Sequence, residues 1–131
     1  MRPPSMTRSV IFSAAAPKPV SAYSQAIQSG SLLFLAGQIP LDPSTGLVVS
    51  GTIAEETDRI MANLQAVLSA AGASLDNVVK TTIYLTNMAD FAAFNVAYAR
   101  HFTNDPPART TVAVAALPLG VRVEVEAIAA L

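Results

Sequence analysis

The sequence predicts an α+β fold in which one largely single β-sheet carries two helices on the same face. Two segments show the spacing of an amphipathic helix, and the segments around them are rich in β-branched and aromatic residues. The predicted order is strands, helix, strand, helix, strands. Each helix has one apolar stripe and needs one partner layer, which a common sheet provides. We expect self-association to cover the other face of the sheet.

Residues 10–12 form a short apolar run, and two paired strands are predicted after it, at residues 26–28 and 32–36. These two strands flank Ser29-Gly30, whose glycine can adopt the positive φ of a tight hairpin turn. Residues 42–46 then read Asp-Pro-Ser-Thr-Gly, which predicts a loop.

The first helix is predicted over residues 53–71. Thr52 and Glu55 match a capping box, and Gly72 stands where the cap at the other end needs a positive φ. Apolar residues at three- and four-residue spacing form its stripe: Ile53, Ile60, Met61, Leu64, Val67, Leu68 and Ala71.

A strand is predicted over residues 78–85, and a second helix over about residues 88–102 with Asn87 as its cap. Its inner stripe is aromatic: Phe91, Phe94, Tyr98 and Phe102. The last two strands, 109–115 and 121–130, are separated by a connection short enough for a hairpin, and we expect them to pair.

Alternation along these last strands assigns their side chains to faces, because residues two apart point the same way. Val121, Val123 and Val125 form an apolar face that should meet the helices. Arg109 and Glu124 are then expected to share the face away from the helices, where the subunit contact is predicted. A polar cleft between subunits follows as a hypothesis.

Length and composition limit the possible functions. The 131 residues fit one domain, expected at residues 10–131 after an N-terminal extension at 1–9. The chain has no cysteine, which excludes disulfides, a thiolate nucleophile and a cysteine-based zinc site. Hydrophobic residues make up 52% of the chain and charged ones 13%, so burial between subunits is the simplest use of the apolar excess.

The formal net charge of −1 predicts no nucleic-acid partner, and no apolar stretch is long enough to predict a membrane span. A cytoplasmic location is expected. A mitochondrial one stays open, because residues 1–19 carry three basic residues and no acidic one.

Several polar residues have both a structural and a functional interpretation. Arg109 either forms an interface ion pair with Glu124 or Glu126, or stays free to bind a carboxylate through its two-pronged guanidinium. Asn95 lies on the aromatic face of the second helix, where it makes a core hydrogen bond or lines a cleft. Tyr23 is packing or cleft wall. His101 is predicted to be structural, since no second histidine or cysteine completes a metal site.

Four groups of short motifs follow one another along most of the chain: Tyr23-Ser24-Gln25-Ala26, Gly37-Gln38-Ile39-Pro40 with Asp42-Pro43, Pro107-Ala108-Arg109, and Val123-Glu124-Val125-Glu126-Ala127. In order and spacing the chain resembles the YjgF/YER057c/UK114 family, also called Rid, for reactive-intermediate deaminase. The resemblance covers residues 10–131.

The resemblance implies the chorismate-mutase-like fold, a mixed six-stranded sheet with two helices on one side, assembled as a homotrimer with three clefts between subunits. It also implies 2-iminobutanoate/2-iminopropanoate deaminase activity. Such an enzyme hydrolyses 2-imino or 2-enamino acids, such as 2-aminoacrylate, to 2-keto acids and ammonia, with no cofactor and no metal.

By the same resemblance, Arg109 binds the substrate carboxylate and Glu124 helps to position the attacking water. Tyr23, contributed across the subunit interface, and Asn95 are expected to line or shape the cleft.

Two positions depart from the family pattern. Thr111 stands where cysteine is frequent, and Ala36, before Gly37, stands where serine is frequent. We expect all three residues to line the substrate site, with an altered substrate preference. The alternatives to a deaminase are a non-catalytic metabolite-binding or chaperone-like trimer and, disfavoured by the near-neutral charge, a ribonuclease or translation inhibitor.

Overall fold

Six strands form one mixed sheet, and two α-helices pack on one of its faces. The computed structural model describes residues 8–131. The strands are β1 (Ser9–Ile11), β2 (Ala26–Ser29), β3 (Leu32–Gln38), β4 (Val78–Leu85), β5 (Ala108–Ala113) and β6 (Val123–Ala130), and the helices are α1 (Ile53–Ala70) and α2 (Phe91–Ala99). The predicted α+β class is confirmed. Of the extension expected at residues 1–9, residues 1–7 lie outside the described residues, while Ser9 already belongs to β1.

The local signals at α1 and at the first hairpin have the expected structures. The Thr52 hydroxyl accepts a hydrogen bond from the Glu55 amide at 3.1 Å, and the Glu55 carboxylate accepts one from the Thr52 amide at 2.9 Å. Gly30 and Gly72 adopt φ angles of 60° and 73°, as a hairpin turn and a helix end require. No helix in residues 8–131 is long and apolar enough to cross a membrane.

The second helix is shorter than the predicted 88–102. A 3₁₀ turn, Met88–Asp90, comes first, with the Asn87 side chain accepting a hydrogen bond from the Ala89 amide at 2.9 Å. Regular α-helix then ends at Ala99, because the amides of residues 100–102 bond to carbonyls only three residues back.

The predicted pairing of the last two strands is wrong. The strand order is β1-β2-β3-β6-β4-β5, so β6 lies between β3 and β4 and runs antiparallel to both, whereas β5 runs parallel to β4 at the edge. The reason lies in burial: every second residue of β6 is buried, which suits a central strand, while β5 has no buried residue. A short connection permits a hairpin but does not require one.

This strand order also overturns the prediction that Arg109 and Glu124 share a face. Arg109 lies opposite Thr81, which is buried and shares a hydrogen bond of 2.7 Å with Tyr98 of α2, so Arg109 points toward the helical layer. Glu124 lies opposite Tyr84 on the other face, which we call the open face. The prediction that Val123 and Val125 meet the helices is confirmed, since both are fully buried.

Within residues 8–131 no helix covers the open face. Leu32, Phe34 and Val112 point to this side and remain 39–44% exposed. Part of the apolar excess of the sequence therefore remains exposed on this face.

A buried amide fixes the segment that precedes β2. The Gln25 side chain is 2% exposed; its oxygen accepts a hydrogen bond from the Ser13 amide at 2.6 Å, and its nitrogen donates to the carbonyls of Ser13 and Pro17 at 3.0 and 2.9 Å. Because Gln25 sits next to β2, these bonds attach residues 13–17 to the sheet.

We predict that Gln25→Met destabilises the protein by about 2 to 4 kcal/mol, because it leaves the Ser13 amide and the Pro17 carbonyl without their partner at nearly unchanged volume. The matched control is Gln28→Met, which removes only an exposed bond to the Gly30 carbonyl. Urea unfolding followed by circular dichroism measures both, and equal losses in the two variants would contradict the prediction.

Candidate active site

A cleft of about 580 Å³ opens beside β3 and the start of β6. Its walls come from four parts of the chain: the segment before β2, the end of β3 with the loop after it, the 3₁₀ turn Pro118–Gly120, and Glu124 of β6. Most of the lining is apolar, and it includes Lys18, Val20, Tyr23, Ala36, Gly37 and Leu119. Tyr23 is half exposed, so its hydroxyl is accessible from the cleft side.

A β-bulge at the end of β3 shapes the polar end of this cleft. Leu35 lies opposite Ala127 and Gln38 opposite Val125, so two residues of β3, Ala36 and Gly37, face the single residue Glu126 of β6. A methyl group on Gly37 would overlap the carboxyl group of Glu124. The glycine therefore lets the Glu124 carboxyl lie directly against the backbone of β3.

Glu124 is the partly buried acid of the cleft. Burial, followed by the negative charge of Glu126, raises the pKa of Glu124 above its ordinary value. The Tyr84 hydroxyl donates a short hydrogen bond to Glu126, and this bond, with burial, raises the pKa of Tyr84 to about 12. Two acids and one tyrosine thus lie close together on the open face.

Arg109 lies on the helical side, over the aromatic rings of α2. The centre of its guanidinium is 5.1 Å from the ring centre of Tyr98, 5.7 Å from that of Phe91 and 6.0 Å from that of Phe94. We call these three rings the aromatic shelf. Among residues 8–131 no acidic side chain is within ion-pair distance of Arg109, so the predicted pair with Glu124 or Glu126 does not form within one chain.

Oδ1 of Asn95 and Oγ1 of Thr111 are buried oxygen atoms without hydrogen-bond partners on the side of the sheet to which Arg109 points. A third such oxygen, Oγ1 of Thr57, lies in α1. Asn95 shares its helical face with Phe91 and Tyr98. Thr111 follows Arg109 by two residues in β5, so the two side chains point the same way. Buried polar atoms normally have a partner, and within residues 8–131 neither Oδ1 of Asn95 nor Oγ1 of Thr111 has one.

The expected site residues therefore form two groups in one chain. The first group lines the cleft, where the structure brings together Tyr23, Ala36, Gly37 and Glu124. Arg109, Asn95 and Thr111 lie near the aromatic shelf, on the opposite face of the sheet. One chain does not unite the two groups.

Tyr84 and the apolar wall of the cleft are not among the site residues predicted from the sequence. Tyr84 was recognised only as a strand residue, because its contact with Glu126 depends on the pairing of β4 with β6. Leu119 has an unusual φ of 57° and is 73% exposed at the cleft, a conformation without a clear sequence signal.

His101 has the structural role that was predicted for it. Its Nε2 atom lies 2.8 Å from the Asp58 carboxylate, which links the end of α2 to α1. In the described part of the chain no three histidine, cysteine or acidic residues are grouped as metal ligands would be.

A family model described as Endoribonuclease L-PSP matches residues 13–131. The chain belongs to the YjgF/YER057c/UK114, or Rid, family. A RutC family protein of Pyrococcus abyssi is 51% identical over 95% of this Rid chain and 98% of its own length. The 2-iminobutanoate/2-iminopropanoate deaminase of Mus musculus is 46% identical over 95% of this chain and 93% of its own.

Solved structures agree with this family and with the fold. The crystal structure of yeast YEO7 has a TM-score of 0.92 and 45% identity, covering 95% of this Rid chain and 98% of its own. That of E. coli TdcF with bound serine has a TM-score of 0.89 and 34% identity, covering 94% and 98%. The predicted family resemblance and the predicted mixed sheet with two helices are confirmed.

We predict that Glu124→Gln becomes more stable relative to the wild type as the pH rises. The folded wild type binds the Glu124 proton more tightly than the unfolded chain does, so this residue's contribution to the unfolding free energy is fully present below pH 4.5, its ordinary pKa, and is lost as the pH rises through the raised pKa. Glutamine, which does not ionise, avoids that loss.

Urea unfolding at a series of pH values and one fixed protein concentration tests this. Asp76→Asn, which neutralises an exposed acid away from the cleft, is the control and should show no such trend. A stability difference between Glu124→Gln and wild type that stays constant from pH 4 to pH 8, a range chosen to span about four units around the expected titration, would refute the prediction.

Proposed function

We propose that this Rid protein is a 2-iminobutanoate/2-iminopropanoate deaminase, a hydrolase of C=N bonds that converts 2-imino and 2-enamino acids to 2-keto acids and ammonia. The observation that carries the proposal is the side chain of Arg109, which is partly buried, has no acidic partner in the described residues and lies over the rings of Phe91, Phe94 and Tyr98. Relatives named as this deaminase, 46% identical in mouse and 44% in human, support it.

The aromatic shelf suits Arg109 to bind a small carboxylate. The faces of Phe91, Phe94 and Tyr98 attract the flat cation and limit its movement. None of these rings offers a negative charge, so the N–H groups remain available to two parallel hydrogen bonds with a carboxylate. The acceptors on Asn95 and Thr111 then suit the N–H groups of an imino acid.

The site is complete only when a second copy contributes to it. Arg109 is on β5, the edge strand, and Glu124 is on the open face, so one chain offers the two groups in different directions. We propose a homotrimer, the assembly implied by the family resemblance, in which each cleft takes Glu124 from one copy and Arg109 from its neighbour. The exposed apolar side chains of the open face are then buried between copies.

Glu124 supplies the acid and base in this proposal. In its protonated form, which the raised pKa favours, it donates its proton to the imine nitrogen while the water oxygen bonds to the imine carbon and the C=N π electrons become a nitrogen lone pair. The carboxylate then takes a proton from the bound water, which gives a carbinolamine. The same group moves the hydroxyl proton to nitrogen, the C–N bond breaks, and a keto acid and ammonia leave.

These steps use only water and side chains of this chain. The substrates are products of pyridoxal-phosphate-dependent dehydratases acting on serine or threonine, so we propose the cytoplasm, where such substrates form, as the location. Ala36 and Thr111, the departures from the family pattern, are proposed to change the preference among imino acids rather than the reaction.

A ribonuclease is the competing function that the description of the family model suggests. The charge distribution argues against it: the net charge is −1, and the guanidinium groups of Arg59, Arg100 and Arg122 are engaged with side chains of their own chain. RNA cleavage that persists in Arg109→Ala and disappears as salt is added would favour the ribonuclease.

We predict that Arg109→Ala lowers the rate of imine hydrolysis by about 10²- to 10⁴-fold, because two charge-assisted hydrogen bonds of about 1.5 to 3 kcal/mol each are lost. Serine or threonine dehydratase generates the imine, semicarbazide competes for it, and keto acid formation is followed. Arg100→Ala is the matched control, since it removes an arginine that is bound only to Asp58 at the surface. A folded Arg109→Ala protein with the wild-type rate would exclude this function.

We further predict that two inactive variants restore activity when they are mixed. In trimers formed from equal amounts of Arg109→Ala and Glu124→Gln chains, about a quarter of the clefts combine an intact Arg109 from one copy with an intact Glu124 from the next, since each is present with a chance of one half. Co-expression of the two variants followed by the same assay measures this. No recovery in mixed trimers would show that each chain supplies both residues to the same site.

A further inference from the structure

Tyr84 and Glu126 form a hydrogen-bonded pair directly beside Glu124, and the mechanism above does not use them. Tyr84 lies opposite Glu124 in the pairing of β4 with β6, yet its hydroxyl donates to Glu126, the next residue of β6 on the same face. The backbones of Glu124 and Glu126 are therefore about 7 Å apart along the strand, with their side chains parallel. Tyr84 holds the second acid in place beside the first.

We propose that Glu126, held by the Tyr84 hydroxyl, is a positioning residue that keeps Glu124 in its protonated form until the imine binds. The proposal rests on the proposed function, because it assigns a role to Glu124 in that reaction. Glu126 does not line the cleft of one chain, so we assign it a role through Glu124 and not on the substrate itself.

The geometry restricts how Glu124 can avoid Glu126. Its carboxyl lies against Gly37 in the bulge of β3. Rotation away from Glu126 is limited there by the backbone of β3, so the repulsion between the two acids is relieved by protonation of one of them. The Tyr84 hydroxyl donates its hydrogen bond to Glu126 and not to Glu124, so we assign the proton to Glu124. Burial first, and the charge of Glu126 second, raise the pKa of Glu124, which agrees with this assignment.

Other charged and titratable groups near Glu124 do not offset this repulsion. On the cleft side, Lys18 and Tyr23 line the same wall; Lys18 is exposed to solvent, which screens its charge. On the open face, Lys80 lies beyond Glu126 and donates its hydrogen bond to Thr110. The guanidinium of Arg122, two residues earlier, binds Glu56 and the Gly51 carbonyl.

The consequence for the reaction is a working pH range. Proton donation to the imine nitrogen requires the acid form of Glu124, and that form persists to a higher pH when Glu126 is ionised next to it. Without Glu126, the acid form is lost at lower pH, and the rate falls there while substrate binding through Arg109 is unchanged. The expected effect is on kcat, with KM nearly constant.

The test is a carboxyl ¹³C NMR titration of Glu124 in the full-length protein, in the wild type, Glu126→Gln, Tyr84→Phe and the charge-matched control Asp76→Asn. We expect the Glu124 midpoint to fall part of the way toward 4.5 in Glu126→Gln, because burial, the larger cause, remains. It should fall less in Tyr84→Phe, because Glu126 can then turn to solvent, and stay at the wild-type value in Asp76→Asn. An unmoved midpoint in Glu126→Gln overturns the proposal, and one unmoved in Tyr84→Phe overturns the role of the hydroxyl.

The pH profile of imine hydrolysis separates this proposal from the proposed function. In Glu126→Gln, kcat should begin to fall at a lower pH than in the wild type. The difference in pH should equal the shift of the Glu124 midpoint measured by NMR. If the midpoint moves and the profile does not, Glu126 does not act through Glu124 in the reaction. If instead Arg109→Ala retains the wild-type rate, the proposed function itself fails, whatever the NMR titration gives.

Discussion

The position of β6 between β3 and β4 is the constraint on which the rest of the structure depends. Its pairing with both neighbours buries Val123, Val125, Ala127 and Ala129 under the helices and turns Glu124 and Glu126 to the open face. The same placement moves β5 to the edge, with Arg109 toward α2. Since side chains alternate along a strand, no small adjustment of one residue could bring Arg109 and Glu124 to the same face.

Each of the two groups has its own means of fixing a charged side chain. Arg109 is held by the flat faces of three rings, which attract a cation without neutralising it. Glu124 fits against the backbone of β3 because Gly37 has no side chain, and the negative charge of Glu126 acts on it. Both arrangements keep a functional group available to a ligand, at the cost of leaving each group unpaired inside its own chain.

Local features of the fold could be predicted from the sequence, and long-range pairing could not. The capping box at Thr52, the hairpin at Gly30 and the bounds of β4 depend on residues close in the chain, and all three were predicted. The order of β5 and β6 depends on which strands meet across the sheet, which no short pattern records. The motifs gave the site residues, but the wrong strand pairing placed Arg109 on the wrong face and left Tyr84 unnoticed.

Residues 13–17 are anchored through the bonds of their main chain to Gln25, whereas the residues just after them contribute side chains to the cleft wall. The amide holds main-chain atoms of Ser13 and Pro17, whereas Lys18 and Val20, just beyond, present side chains that no hydrogen bond or core contact restrains. Substitutions at these two positions can therefore alter the size and charge of the opening while the scaffold stays intact. In this short segment, natural or laboratory selection can change which molecules enter the cleft without a change in the fold.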